Sequence, residues 1–319
     1  GRAPSLRPLR PMLLAFSLGG VGTVLGGFAA FALSTRYALL PRHAAAAAAG
    51  LLCATYIGGS ANFFAVATAI HASAYCPTLI PALLAADLGL MGLYLLGIAA
   101  AARSPAMLRA FPESNSSALG VPPQAPSPPV PSPPAPQRGA MVTASLMMAT
   151  GLCAASRHLE RACALPGSGV IGLSVASSTI GAAFARHWPA LAEVIAPPLR
   201  QLSLLFGCLF LASVGASARV SELVVAGPAA CICAFVVLST HCAALLLSVA
   251  LCNRSRRLPA VSSRQLLLAS NANVGGVGTA VAMASAMGWT DLVAPAATCG
   301  AVGYAVATVV GIGMHAFLA

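Results

Sequence analysis

The sequence predicts an all-α, polytopic membrane protein with two inverted structural repeats, each carrying a Gly-interrupted helix or a re-entrant hairpin. Three observations lead there. Of 319 residues, 58% are hydrophobic and only 7% charged, with a mean hydropathy of +0.87, whereas a soluble domain carries roughly a quarter charged residues. The apolar residues fall in runs near the roughly 20 residues that cross a bilayer core. A Gly-Gly motif flanked by Ser and Asn occurs twice, in corresponding places.

The first span is Met12 to Leu33, rich in Gly and flanked by Arg10 and Arg36. Ala44 to Ile70 follows, with Gly58-Gly59 near its middle, and then Leu79 to Ala102, which contains Asp87. Residues 103–138 hold Pro-Pro pairs and many Ser, the composition of a disordered or polyproline-type linker. Beyond it come Ala140 to Ala155, Val170 to Ala185, Leu199 to Ala218, Leu223 to Leu251, Gln265 to Met287 and Leu292 to Leu318. This gives a first repeat over 1–102 with three membrane elements and a second over 139–319 with six. The first repeat is therefore expected to be truncated.

All seventeen basic residues are Arg, and they sit between apolar segments rather than along one face. That is how membrane proteins place them, so nucleic acid is excluded as a partner. Treating the two Gly-Gly segments as re-entrant hairpins puts twelve Arg on one side and five on the other, and full spans would give eleven against six. Charge alone does not choose between them. The ten Cys lie mostly in apolar runs without metal or disulfide spacing, so they read as small hydrophobes. No HExxH, Walker loop or nucleophile elbow is present, and the chain is not expected to be an enzyme.

The repeat is read from Thr55-Tyr56-Ile57-Gly58-Gly59-Ser60-Ala61-Asn62 and Ala269-Ser270-Asn271-Ala272-Asn273-Val274-Gly275-Gly276. Superposing Asn62 on Asn273 gives an offset of 211, which brings Thr298 opposite Asp87. Unpaired backbone polar groups are costly in hydrocarbon, so a helix breaks there only where protein, water or ligand meets the freed groups. Paired broken segments mark a secondary-transporter site: half-helix N-termini suit anions, and unwound carbonyls suit Na⁺ or a proton carrier. Tight helix packing through small residues is the competing reading of either motif alone. The expected substrate and ion contacts are Thr55, Gly58, Gly59, Ser60, Asn62, Asp87, Ser270, Asn271, Asn273, Gly275, Gly276 and Thr279. Asp87 leads, because an intramembrane carboxylate is expensive. His241 reads first as a packing residue.

The run Gly20-Val21-Gly22-Thr23-Val24-Leu25-Gly26, the two Gly-Gly motifs, Ala86-Asp87 and Gly303-Tyr304 resemble the signatures of the YjcL-like membrane proteins, domain of unknown function 819. The resemblance covers nearly the whole chain outside the linker. It departs at Leu88, where the family commonly has Asn. It implies kinship with the cation-proton antiporter and anion transporter group, and residence in a bacterial plasma membrane or, in plants and algae, a plastid envelope. The function expected is an ion-coupled secondary carrier of a small organic anion. Its partners would be the lipid bilayer, a small-molecule substrate and possible further copies as a homo-oligomer, with no cofactor beyond a coupling Na⁺ or H⁺. The alternative is a non-transporting scaffold or receptor that recruits a partner through its Pro-rich linker.

Overall fold

The computed structural model describes residues 8–113, 135–163, 168–217, 220–255 and 258–319. Among them no strand occurs, and the helices are α1 (Leu9–Arg36), α2 (Arg42–Gly58), α3 (Ser60–Ala69), α4 (Ala72–Tyr75), α5 (Leu79–Ala101), α6 (Pro105–Ala110), α7 (Ala135–Cys163), α8 (Ser168–His187), α9 (Pro189–Ser217), α10 (Val220–Ser255), α11 (Ser263–Val274), α12 (Gly276–Ala286) and α13 (Val293–Leu318). Five stretches are long and apolar enough to cross a bilayer: Leu9–Arg36, Leu79–Ala101, Gly139–Cys163, Gly227–Ser255 and Thr290–Leu318. The protein is an integral, multi-pass, all-α membrane protein.

Two compact units form, and they do not follow the boundaries expected at 102 and 139. One comprises Gly1–Gly120 with Arg219–Ala319, the other Val121–Ala218. The cause is that α10 to α13 pack against α1 to α5, which leaves α7, α8 and α9 to pack on one another. In that smaller unit Ser156 Oγ donates to the Gly169 carbonyl at 2.6 Å and joins α7 to α8. The expected linker also needs correction at both ends. Residues 105–110 form α6 and 135–138 belong to α7, whereas 114–134 lie outside the described residues.

Within the larger unit both interrupted segments turn back on themselves. Arg264, at the start of α11, lies 3.7 Å from Asp291, just beyond α12. Midway along, Asn271 Nδ2 donates to Met283 Sδ at 3.3 Å. In a straight helix those two residues would stand about 18 Å apart. Likewise Val66 of α3 and both Gly50 and Ala54 of α2 crowd the same point beside Gly311. A hairpin explains both patterns. The arms of α11 and α12 are about 16–18 Å long, enough to reach the middle of a bilayer core about 30 Å thick.

The direction of entry follows from contacts at the ends. Leu9 and Leu13, Ala101 and Ala102, Phe111, Val261 and Leu266 share one apolar cluster, so the start of α1, the end of α5 and the start of α11 lie together. Phe31, Ala46, Ala49, Met314 and Leu318 share another, which joins the end of α1, the start of α2 and the end of α13. The α2–α3 hairpin therefore enters from one side of the unit and the α11–α12 hairpin from the opposite side. Each hairpin is preceded and followed by a long helix, and the two series run in opposite senses.

Small residues let these backbones approach. Ala44 to Gly58 are buried on every face of α2, as expected of a helix apolar all round. Gly50 and Gly311 face each other: a Cβ at Gly311 would fall 2.8 Å from the Gly50 carbonyl oxygen. Between α1 and α10, a Cβ at Gly26 would lie 2.8 Å from the Val237 backbone. Such close crossings hold helices together where hydrophobic driving force is missing.

At the α11 entrance, Ser262 and Gln265 form a capping box, with Ser262 N–H donating to Gln265 Oε1 at 3.0 Å and Gln265 N–H to Ser262 Oγ at 3.4 Å. Ser263 N–H donates to the Phe111 carbonyl at 3.0 Å, and Arg264 pairs with Glu113 at 2.9 Å. Burial acts to raise the Glu113 carboxyl, but the hydrogen bond and charge of Arg264, helped by Ser263, outweigh it and hold the group below its ordinary value of 4.5.

Two outcomes follow. Gly311→Ala must push apart two backbones and should cost about 1–3 kcal/mol, read as a lower thermal midpoint in detergent, whereas Gly313→Ala, with open space around it, should leave the midpoint unchanged. For Glu113 the folded carboxyl titrates below the unfolded one, so its stabilisation is present above pH 4.5 and disappears as the pH falls through the folded value. Glu113→Gln should lower the midpoint at pH 7 by the equivalent of at most about 1 kcal/mol, since the pair is partly exposed. The difference from the wild type should close as the pH falls through the folded value.

Candidate functional site

Both Gly-Gly motifs sit at hairpin tips, and the tips touch. Gly59 (φ +83°) and Gly276 (φ +78°) adopt left-handed conformations that side chains rarely take. A Cβ at Gly59 would lie 3.9 Å from Gly276 Cα, and the Tyr304 ring packs against both positions. Tyr304 is near the middle of α13, so the meeting point is at mid-depth.

Breaking α2 leaves its last carbonyls without helical partners, and the structure supplies substitutes. Gly59 N–H donates to the Thr55 carbonyl at 2.7 Å. Thr23 Oγ1 from α1 reaches the Tyr56 carbonyl at 3.3 Å, and Asn62 Nδ2 donates to the Gly58 carbonyl at 2.8 Å. The Asn62 amide oxygen in turn accepts from Thr308 Oγ1 of α13 at 2.7 Å. At the second tip, Gly275 N–H donates to the Asn271 carbonyl at 2.8 Å, and Thr279 Oγ1 donates to Asn271 Oδ1 at 2.6 Å and contacts the Gly276 carbonyl at 3.2 Å. Asn62, Asn271 and Thr279 thus hold the hairpins closed.

Other expected residues keep unmet capacity. Asp87 of α5 is fully buried and its Oδ2 accepts from Thr55 Oγ1 at 3.1 Å. The buried Tyr56 hydroxyl bonds to the Asp87 carboxyl, and neither that hydroxyl nor Oδ1 has any other partner. Asn273 Nδ2 donates to the Phe16 and Ala269 carbonyls at 3.0 and 3.2 Å, while its buried Oδ1 stays unpartnered. Buried unpaired polar atoms cost free energy and are the natural contacts for an ion or substrate. Ser60 starts α3 beside Gly59, so its backbone N–H is one of the free donors at the tip.

Ser270 belongs to a second polar group. His241, fully buried in α10, has Nδ1 2.9 Å from both the Gly19 carbonyl and Thr23 Oγ1, and Nε2 3.1 Å from Ser270 Oγ. Ser270 Oγ is 2.8 Å from the Tyr94 hydroxyl.

The two glycines of positive φ at the tips, Gly59 and Gly276, stand 217 residues apart, not at the expected offset of 211. Asn62 therefore follows its tip and Asn273 precedes its own. On the new register Tyr56 matches Asn273 and Asp87 matches Tyr304. Thr298, the expected counterpart of Asp87, is exposed and bonded to the carbonyl of Ala294 on its own helix. Aligning Gly-Gly on Gly-Gly would have revealed Tyr304. Thr23, Thr308 and Tyr94 carry no comparable sequence signal, since each is one hydroxyl in an apolar helix.

The family model described as "Protein of unknown function (DUF819)" matches residues 6–319. The chain is 51% identical over 51 residues to the uncharacterized membrane protein YjcL of Bacillus subtilis (strain 168), a stretch covering 16% of this chain and 13% of that protein. No solved structure matches the chain.

Thr308→Val should leave the Asn62 amide oxygen buried without a donor and lower the thermal midpoint by the equivalent of about 1–2 kcal/mol. Thr308→Ser should restore it. An unchanged midpoint in the valine variant would mean that this bond does not hold the first hairpin on α13.

Proposed function

The chain belongs to the DUF819 family, and on that premise we propose that it is an ion-coupled secondary carrier of a small organic anion. One observation supports this above the rest: two re-entrant hairpins, entering from opposite sides, meet at Gly59 and Gly276. An arrangement of two inverted repeats with broken segments at mid-depth is the architecture of alternating access, in which one site is exposed to either side in turn. On this reading α1–α2–α3–α5 and α10–α11–α12–α13 are the two repeats.

The starts of α3 and α12 both point at the junction, and each presents N–H groups not used within its helix. Together they suit a carboxylate or similar anion. Asp87, with Thr55 and the Tyr56 hydroxyl, takes the coupling Na⁺ or proton, and its charge compensates the anion during passage. Asn273 Oδ1 offers a neutral acceptor to the substrate. No covalent step and no cofactor other than the coupling ion enter this scheme. The end carrying Arg103, Arg109, Arg254 and Arg264 faces the cytoplasm or its organellar equivalent.

The test starts with small carboxylates that raise the thermal midpoint of the full chain, screened with and without Na⁺. The hit is then followed as uptake into proteoliposomes under a Na⁺ or a proton gradient. Asp87→Asn and Asn273→Ala should each reduce gradient-driven uptake at least ten-fold with expression intact. Wild-type uptake in both variants would defeat the site assignment.

A further inference from the structure

Between α5, α10 and α11 lies a cleft of about 740 Å³, walled by Leu90, Leu93, Leu238 and Leu246 and reaching Tyr94 and Ser270. Behind Ser270 is His241, which the carrier scheme does not use. Gly19 O can only accept, so the contact at 2.9 Å makes His241 Nδ1 the protonated nitrogen of the neutral ring. Nε2 must then accept, and the donor at 3.1 Å is the Ser270 hydroxyl. Ser270 Oγ in turn accepts from the Tyr94 hydroxyl at 2.8 Å. Thr23 Oγ1, whose own hydrogen goes to the Gly19 or Tyr56 carbonyl, shares the Nδ1 hydrogen. Every donor in the series is oriented from the cleft toward the ring.

We infer that His241 is a proton-binding site separate from Asp87, filled from the cleft through Tyr94 and Ser270. The step balances as follows. A hydronium in the cleft gives a proton to Tyr94 Oη as the Tyr94 proton passes to Ser270 Oγ and the Ser270 proton to His241 Nε2. Water is left behind, Tyr94 and Ser270 end neutral, and the ring is an imidazolium with Nδ1–H still on Gly19. The bonds from water to Tyr94, from Tyr94 to Ser270 and from Ser270 to the ring are then reversed, while the bond to Gly19 is kept. The groups facing the ring are Tyr94 from α5, Ser270 and Asn273 from α11, Gly19 and Thr23 from α1 and the neighbouring Cys242 on α10. Among the described residues no Arg, Asp or Glu is hydrogen-bonded to it. The imidazolium would thus add an uncompensated positive charge next to Asn273, whose Nδ2 lies beside the same point of α1 as the ring, a charge an anion there would neutralise.

The experiment is ¹⁵N NMR of the full chain in lipid bilayers with its six histidines labelled, the His241 signals being assigned by their loss in His241→Gln. At pH 7.5 the ring is expected as the neutral Nδ1–H tautomer, with one protonation step on acidification. Tyr94→Phe and Ser270→Ala should each slow exchange of the ring protons with bulk water at least ten-fold, a readout that a packing role would not move. An Nε2–H tautomer in the wild type, or unchanged exchange in both variants, would overturn the proposal. If His241→Gln does not fold, the signals lost or shifted in Ser270→Ala supply the assignment. None of these measurements depends on transport, so the relay and the carrier reading can fail separately.

Discussion

The unpaired backbone of a broken helix is what the larger unit is organised around. In hydrocarbon each freed N–H or C=O costs several kcal/mol unless a partner is found. The chain breaks two helices at mid-depth and must therefore bring partners to both. It does so with single side chains from neighbouring helices: Thr23 from α1 for the Tyr56 carbonyl, Asn62 for Gly58, and Thr308 of α13 for Asn62 itself. The close packing of α13 along α2, through Gly50 and Gly311, sets the separation at which these bonds can form. Packing and polar satisfaction are thus one constraint, since a wider α2–α13 spacing would strand the first tip.

That constraint also accounts for what was readable from the sequence. Five of the expected spans were legible because apolar length and charge depletion are written directly in composition, and the two interruptions because a Gly-Gly motif with Ser and Asn recurs, since one copy alone also fits helix packing. The hairpin turn was only an alternative, as local sequence does not encode whether a chain continues past a break; it took the pairing of Arg264 with Asp291 and of Asn271 with Met283 to fix it. The offset was read from Asn, whereas the residues that share a positive φ at the two tips are glycines. Asn62 and Asn273 look alike in sequence, but one caps the outgoing arm and the other ends the incoming arm. Thr23, Tyr94 and Thr308 are set by helix packing, which a single sequence does not contain. Residues 105–110 were assigned to the linker on its composition, yet Phe111 is buried and Glu113 pairs with Arg264, contacts made with the distant first turn of α11.

The opposed hairpins make the chemistry of the two halves comparable residue by residue, and the comparison shows them to be unequal. Where α5 has the carboxylate of Asp87, α13 has Tyr304; where the first hairpin has Tyr56, the second has Asn273. Asn273 of the second hairpin carries a buried oxygen without a partner, whereas Tyr56 of the first hairpin bonds to Asp87 of α5.

Thr23 is the residue through which the two polar groups touch. Its hydroxyl lies within 3.3 Å of the Tyr56 carbonyl and 2.9 Å of His241 Nδ1, so the first hairpin and the Ser270 side of the second are linked by one oxygen on α1. A hydroxyl has one hydrogen to give. If that hydrogen serves the Tyr56 carbonyl, the ring is the remaining side-chain donor to the Gly19 carbonyl; if it serves Gly19, the hairpin carbonyl is left short. Any displacement of the first hairpin that lengthens the Tyr56 contact therefore changes the hydrogen-bond supply at His241, and a change of charge on the ring acts back on the hairpin by the same route. The coupling is reciprocal by thermodynamic necessity, and it needs no path longer than the three atoms that meet at Thr23.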